Sequence, residues 1–385
     1  MLRIENKSEC CGCSACASIC PNKAIEMSPD PLGFLYPVVS PDKCNGCGLC
    51  QNVCSFNKKS YNQHNRFPKI YLARHKKLTE VENSRSGAIF VALSDFVLKY
   101  GGVVYGAAFD NVDRVVHKRA TSYNERDAFR GSKYVQSDVR GIFLQVKNDL
   151  KNGKKVLFSG TPCQVSGLSS YLELLKVNTA NLILIDVICH GVPSQKYWRD
   201  FLSYLSRKEK SEIVAASFRD KRIHGWASHR ESIVFEDGRQ VSYERAFYDD
   251  ILLRRSCSRC PYASMVRTSD ISIGDYWGWE RVDAQINKDD KGVNLVLLNT
   301  LKGESIFSEI KSQIYYIESD ELKCVQPNLL YPTPSHHLQD SFEKDYLTYG
   351  FQFAYKKYIL ASRRRSKWQS VKKRFITLIK RFLVR

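Results

Sequence analysis

The stretch "CCGCSACASICP" sets Cys10, Cys13, Cys16 and Cys20 at C-x2-C-x2-C-x3-C-P spacing, and "CNGCGLCQNVCS" repeats the spacing with Cys44, Cys47, Cys50 and Cys54. A thiolate at every third residue lets one tight loop take three corners of a cubane, while the next cysteine faces a second cluster. The spacing therefore predicts one [4Fe-4S] cluster on Cys10, Cys13, Cys16 and Cys54, and another on Cys44, Cys47, Cys50 and Cys20. Gly12, Gly46 and Gly48 leave room for backbone beside sulfur, and their amides favour an anionic cluster. Zinc is the alternative for a single cysteine quartet, but a duplicated triple-plus-one run argues against it. Cys11 falls outside the ladder and reads as a bystander thiol. The second motif continues with Ser55 where the first has Pro21.

The chain has 14 cysteines in 385 residues, nine of them before residue 55. No apolar run precedes Cys10, and no stretch reaches the length of a membrane span, so reduced, metal-binding thiols in a cytoplasmic protein are expected. Among the remaining cysteines, Cys257 and Cys260 form a CxxC pair in "RRSCSRCPYA". Two thiolates do not fill a four-ligand site. Cys163 in "SGTPCQ" and Cys189 in "DVICHG" each follow a strand-like run, where open sheets collect ligands. Together the four predict a third [4Fe-4S] cluster, with zinc or inert buried thiols as alternatives.

The elements that would position these groups alternate along the chain. "SGAIFVALSDFVLKYGG" has helical apolar spacing through Ile89, Leu93, Phe96 and Val97. "GVVYGAAFD" reads as a strand, "KKVLFSGTPCQVSGLSSYLELL" as strand, turn and helix, and "NLILIDVICHG" as a buried strand. "SIVFEDGRQVSY" is a hairpin around Asp237-Gly238, and "DISIGDYWGWE" and "GVNLVLLNT" are further strands. The expected class is α+β: a bacterial-type two-cluster ferredoxin domain fused to a mixed α/β catalytic domain, with a C-terminal amphipathic helix. The expected segments are 1–60 for the ferredoxin domain, 66–155 and 156–345 for the two parts of the catalytic region, and 346–385 for the tail.

Several unrelated motifs occur in one order: Ser86-Gly87, Gly131-Ser132-Lys133-Tyr134, Gly160-Thr161-Pro162-Cys163-Gln164 and Cys189-His190-Gly191-Val192-Pro193. They continue with Phe218-Arg219-Asp220-Lys221, Gly225-Trp226, Cys257 to Cys260, and Ile273-Gly274-Asp275. Over roughly residues 5–345 the chain resembles the beta-subunit family of coenzyme F420 hydrogenase and dehydrogenase, with a fused ferredoxin domain. The resemblance implies an oxidoreductase that binds FAD and a [4Fe-4S] cluster and exchanges electrons with a deazaflavin or another small organic substrate. It points to Ser84, Arg85, Ser86, Gly87, Gly131, Ser132, Lys133 and Tyr134 for the flavin. One departure stands out: where members carry SSSGG, this chain has Ser84-Arg85-Ser86-Gly87-Ala88, and Arg85 is then a candidate phosphate contact. Lys133 is a candidate for stabilising flavin charge, and His190 and Asp275 for proton handling. Asp220, Lys221 and Trp226 are expected at the substrate cleft. No GxGxxG follows a strand, so Rossmann-type NAD binding is not expected.

The partner implied is a redox protein such as ferredoxin, and the organic substrate is unidentified. Bacterial members of this kind appear beside glycan-synthesis proteins, so a glycan-pathway intermediate is one substrate class. An electron-transfer subunit serving a partner enzyme is the competing reading. The net charge is +19, and the end of the chain, "SKWQSVKKRFITLIKRFLVR", places Trp368, Val371, Phe375, Leu378 and Phe382 on one helical face among lysines and arginines. Such a helix over 361–385 is expected on an anionic membrane surface, at the inner face of the membrane. Docking on the protein's own body or on an acidic partner is the alternative. No reader motif supports nucleic acid, and self-association stays open.

Overall fold

The computed structural model describes residues 2–56, 66–244 and 250–361. The tail expected to lie on a membrane falls outside the described residues from 362 onward. No helix of the described residues is long and apolar enough to cross a membrane.

The cysteine-rich segment is built from little regular structure. Helix α1 (Ala15–Ile19), the antiparallel pair β1 (Ile25–Pro29) and β2 (Leu35–Val39), and helix α2 (Leu49–Asn52) hold the two cysteine loops apart. Each loop turns through left-handed residues at matching places: Gly12 at φ 72° and Ser14 at 66°, Gly46 at 74° and Gly48 at 75°. Repeated spacing thus becomes repeated backbone.

The rest of the chain is organised by one eight-stranded mixed sheet of order β13-β3-β12-β11-β7-β6-β4-β5. Its strands are β3 (Lys69–His75), β4 (Val103–Asn111), β5 (Arg114–Ala120), β6 (Val156–Gly160), β7 (Leu182–Val187), β11 (Ile271–Asp275), β12 (Asn294–Leu298) and β13 (Ile314–Ser319). The middle four, β11, β7, β6 and β4, run parallel, and antiparallel strands close both sides. β6 and β7 are near-continuous apolar runs because both faces are covered. Alternate residues face opposite layers. Val104, Leu157 and Ile183 pack with α4 (Ile89–Lys99) and α10 (Leu301–Ile310), whereas Val103, Phe158 and Leu184 pack with α6 (Ile142–Lys151) and α7 (Pro162–Leu174). Ala15 and Ile19 of α1 join the second layer, which seats the cysteine-rich segment against α7. Between these elements lie α3 (Leu78–Glu82), α5 (Tyr123–Asp127), α8 (Gln195–Glu209), α9 (Lys221–His224), α11 (Glu321–Cys324) and α12 (Gln339–Tyr349). A separate sheet of β8 (Ile213–Ser217), β9 (Arg230–Phe235) and β10 (Gln240–Glu244), in the order β10-β9-β8, contains the hairpin at Asp237-Gly238.

The strand expected to run through Cys189 stops at Val187. Cys189, His190 and Gly191 therefore sit in the loop beyond the sheet edge. Parallel neighbours share a polarity, so the ends of β6, β7 and β11 deliver Thr161, Cys189 and Asp275 to one rim.

Candidate functional site

A cavity of about 830 Å³ opens at that rim, and its wall includes Cys163, Cys189, Cys257 and Cys260. Cys163 is the second residue of α7, whose start is held by a capping box between Thr161 and Gln164. The Thr161 hydroxyl lies 3.2 Å from Cys163 Sγ. The Cys257–Cys260 turn hangs on its own backbone: the Cys257 N–H donates to the Arg254 carbonyl at 2.8 Å, and the Cys260 N–H to Cys257 at 3.3 Å. Burial pushes the Cys257 thiol up to about 11 and that of Cys260 up to about 12. Cys189 is raised further, by burial and then by Cys257, Cys163 and Cys260 facing it. Cys163 runs the other way, drawn down to about 7 by hydrogen bonding with Cys11 and with Thr161, against burial. Four thiols gathered from three chain segments in a desolvated pocket are a soft donor set that a multi-iron core fits. Among the described residues, no three His, Cys, Asp or Glu side chains close on a point that would hold a single metal ion.

The cysteine-rich segment presents two further quartets. Cys10, Cys13, Cys16 and Cys54 face one another, and the Cys16 thiol is raised by burial and then by its three companions. Cys20 sits instead with Cys44, Cys47 and Cys50, around a small pocket at the surface. Cys47 is exposed. The first quartet is half-buried and packs against α7, where a Cβ on Gly167 would come within 2.8 Å of Cys13 Sγ. Cys11 is not a peripheral thiol. It is buried and hydrogen-bonds toward both Cys13 and Cys163, one from each of two quartets.

Another stretch of the cavity wall carries Arg85. Ser84, Arg85 and Ser86 line it together with Ala88 and Ile89, at the start of α4. Arg85 Nη2 donates to the Trp226 carbonyl at 2.6 Å, and the guanidinium lies 3.7 Å from Asp275. Its Nε and Nη1, and Ser84 Oγ, are buried without hydrogen-bond partners. Orphaned donors at a helix N-terminus fit an anion such as a cofactor phosphate. Gly87 lies behind this wall, where a Cβ would meet the Ala73 carbonyl at 2.6 Å and the Asn294 nitrogen at 2.8 Å. Its part is close packing between β3 and β12. Ala88 adopts φ 64°, a left-handed conformation that is strained for a residue with a Cβ.

Gly131, Ser132, Lys133 and Tyr134 form another part of the wall. Lys133 Nζ donates to the carbonyls of Ala128 at 2.8 Å and Arg130 at 2.9 Å, and burial pulls its pKa down to about 7. Asp275 has two cations beside it, Arg85 at 3.7 Å and Arg219, whose Nη1 donates to one oxygen at 2.5 Å, while the neutral Trp226 Nε1–H donates to the other at 3.2 Å. His190 lies on the cavity wall with Nε2 2.5 Å from Asp250 Oδ1 and Nδ1 3.3 Å from Asn328 Oδ1. Burial lowers its pKa, but the Asp250 hydrogen bond and charge outweigh burial, and the net shift is upward.

Asp220, Lys221 and Trp226 do not line this cavity; Arg219, Trp277 and His229 do. Lys221 is buried, with Nζ donating to the carbonyls of Val81, Ser86 and Lys291 at 2.6, 3.3 and 2.5 Å. It clamps the Ser84–Gly87 loop from behind. Trp226 stacks on Trp277 at 4.7 Å and supports it. The residues absent from the sequence reading are His117, Ser137 and Arg254. Only Arg254 had a sequence signal, as one of the arginines beside the CxxC pair.

Comparison with known proteins follows the same division. Residues 153–323 match the family model for the C terminus of the coenzyme F420 hydrogenase/dehydrogenase beta subunit, and residues 9–58 match the "4Fe-4S dicluster domain". Uncharacterized protein MJ1349 of Methanocaldococcus jannaschii is 24% identical over 362 residues, covering 84% of this chain and 93% of that protein. Pyruvate synthase subunit PorD of Thermotoga maritima is 42% identical over 55 residues, covering 14% of this chain and 50% of that protein. One chain of the xenon-derivatised F420-reducing [NiFe] hydrogenase complex from Methanosarcina barkeri is 17% identical with a TM-score of 0.47, over 74% of this chain and 94% of that one.

Proposed function

Residues 153–323 belong to the coenzyme F420 hydrogenase/dehydrogenase beta-subunit family and residues 9–58 are a 4Fe-4S dicluster domain; on that premise we propose that the chain is an iron–sulfur flavoprotein oxidoreductase. It exchanges electrons between an external carrier such as ferredoxin and a small organic substrate, a deazaflavin of the F420 kind or a glycan-pathway intermediate. The observation that carries this reading is one cavity lined both by four cysteines and by Arg85 and Ser84, which have buried donors without hydrogen-bond partners.

FAD, when bound, supplies the conversion between one-electron and two-electron transfer that clusters alone lack. The chain's own residues do the rest. Cys44, Cys47, Cys50 and Cys20 hold the outer cluster where a carrier can reach it. Cys10, Cys13, Cys16 and Cys54 hold the inner cluster, and Cys163, Cys189, Cys257 and Cys260 hold a third at the cavity. Arg85 and Ser84 bind the cofactor phosphate, and Lys133 adds charge on the neighbouring wall. Asp275 orients Arg219 and Arg85 and is thereby a positioning residue. Asp250 fixes the His190 ring through Nε2, so that any proton at Nδ1 faces Asn328. The tail beyond 361 brings the protein to an anionic membrane surface.

The match of the cysteine-rich segment to a subunit of pyruvate synthase favours a second reading, an electron-transfer subunit without its own organic substrate. Anaerobic stopped-flow with reduced ferredoxin decides between them. An enzyme reduces its bound flavin and then turns over F420 or a nucleotide-sugar panel alone. A subunit reduces flavin and leaves every acceptor untouched until a partner is added. Absence of flavin after anaerobic reconstitution with FAD and FMN would overturn both.

A further inference from the structure

Arg254 is 1% exposed, and among the described residues no carboxylate pairs with it. Its donors all go to neutral or sulfur acceptors. Nε donates to the Cys10 carbonyl at 2.8 Å, Nη1 to Gln136 Oε1 at 3.0 Å, and Nη2 to the Leu35 carbonyl at 2.9 Å. Nη2 also lies 3.7 Å from Cys10 Sγ. The guanidinium stands over the Tyr36 ring, 4.3 Å from its centroid. The main chain of the same residue belongs to the other side of the interface: its N–H donates to Val192 at 2.9 Å, and its carbonyl receives the Cys257 N–H at 2.8 Å. Gly12 makes room for it, since a Cβ there would lie 2.9 Å from Nη1.

Carbonyls and a ring face hydrogen-bond and polarise toward a guanidinium, but they do not cancel its charge. Burying an uncompensated cation is costly, so an arginine kept in this place calls for an anion. Among the described residues, its neighbours can assemble anions on two sides, and the thiolate-ligated cluster at Cys10 is the one whose sulfur the guanidinium touches, while Cys257 reaches Arg254 through its main chain. Four thiolates around a 2+ core carry a net charge of about −2, and one-electron reduction makes it about −3. A fixed positive charge nearby stabilises the more negative state more strongly, and so raises the reduction potential. The cation that lines the pocket of the outer quartet, Lys43, is exposed to solvent rather than buried, and Cys47 is exposed as well.

We propose that Arg254 is the built-in counter-charge of the inner cluster, making it the member of the relay that is reduced first and joining its potential to the loop that carries Cys257. Electrons arriving at the outer cluster then run inward, toward the side where Cys11 lies between Cys13 and Cys163. Arg254 acts through Cys10 and is a positioning residue, not a catalytic one. The inference rests on the assignment of the inner cluster to Cys10, Cys13, Cys16 and Cys54.

The test is a dye-mediated potentiometric titration of the anaerobically reconstituted full chain, followed by EPR, with iron counted in every sample. In Arg254→Gln the signal of the inner ferredoxin-type cluster moves to lower potential while that of the outer one stays, and the order in which these two are reduced changes. Arg254→Lys keeps most of the wild-type order. Lys208→Gln, which removes an exposed charge paired with Glu209 on α8, shifts nothing. Gln136→Glu places a carboxylate against Nη1 and neutralises the arginine without deleting it, and it lowers the same signal. Should Arg254→Gln lose iron, Gln136→Glu decides the matter. Wild-type potentials in a fully loaded Gln136→Glu or Arg254→Gln protein would overturn the role of Arg254. Wild-type protein without two ferredoxin-type EPR signals would instead overturn the cluster assignment beneath it.

Discussion

The two cysteine loops share a spacing and a backbone but not an environment. Gly12 and Gly46 occupy the same place in each and have φ of 72° and 74°. Around Gly46 there is open space, whereas Gly12 faces the guanidinium of Arg254 and the amide of Gln136. Cys47 is exposed, and its counterpart Cys13 packs against α7. The lesson is that a duplicated motif makes two equivalent ligand cages, and the surrounding protein makes them different: one opens to solvent, the other packs against α7.

The largest expected effect comes from breaking each loop in turn. Cys13→Ser should abolish carrier-driven flavin reduction and also loosen the seating of the segment on α7, read as a lower melting temperature. Cys47→Ser should abolish carrier-driven reduction alone, while dithionite still reduces the remaining centres. Equal melting losses in the two variants would erase the distinction between inner and outer sites.

A smaller effect isolates the cavity from both loops. Arg85→Gln should weaken FAD by about 10- to 100-fold, the worth of one to two charge-assisted hydrogen bonds, with both ferredoxin-type signals intact. Isothermal titration with FAD measures it, and unchanged affinity would remove Arg85 from the phosphate site. Lys133 adds a pH dependence. Burial holds its pKa at about 7, below the ordinary lysine value, so above that pH the empty site carries a neutral amine. An anionic cofactor favours the ammonium, and binding must then take up a proton. Affinity should fall as pH rises from 7 to 9, by up to about tenfold per unit, and the slope should vanish in Lys133→Met.

The smallest effect compares the paired glycines. Gly46→Ala should cost about 1 kcal/mol, the strain of a left-handed alanine in open space. Gly12→Ala carries the same strain and also displaces Arg254, so its loss in chemical denaturation should be clearly larger. Equal losses would mean that Arg254 yields without cost.

Much of this was legible in the chain. Apolar runs gave β6, β7 and β12, and the helical spacing of Ile89, Leu93 and Val97 gave α4, because those patterns follow directly from burial on a sheet. The crossed grouping of Cys20 with Cys44 and of Cys54 with Cys10 followed from the duplicated spacing. What stayed hidden depends on tertiary contact. Cys11 breaks the ladder and reads as a bystander until the fold puts it between Cys13 and Cys163. Lys221 reads as a cleft residue, yet its three carbonyl partners come from α3, from the stretch after it and from the distant loop at Lys291. Gly87 reads as part of a flavin loop, and the structure uses it to pack β3 against β12.

The central claim is that Cys163, Cys189, Cys257 and Cys260 hold a cluster that joins the inner ferredoxin site to a flavin in one chain. Iron, sulfide and flavin are to be counted on anaerobically reconstituted wild-type protein and on Cys257→Ser. The account predicts about twelve irons and one FAD per chain, falling to about eight irons in the variant with both ferredoxin-type signals retained and carrier-driven flavin reduction lost. About eight irons in both proteins, with flavin reduction unchanged, would contradict it.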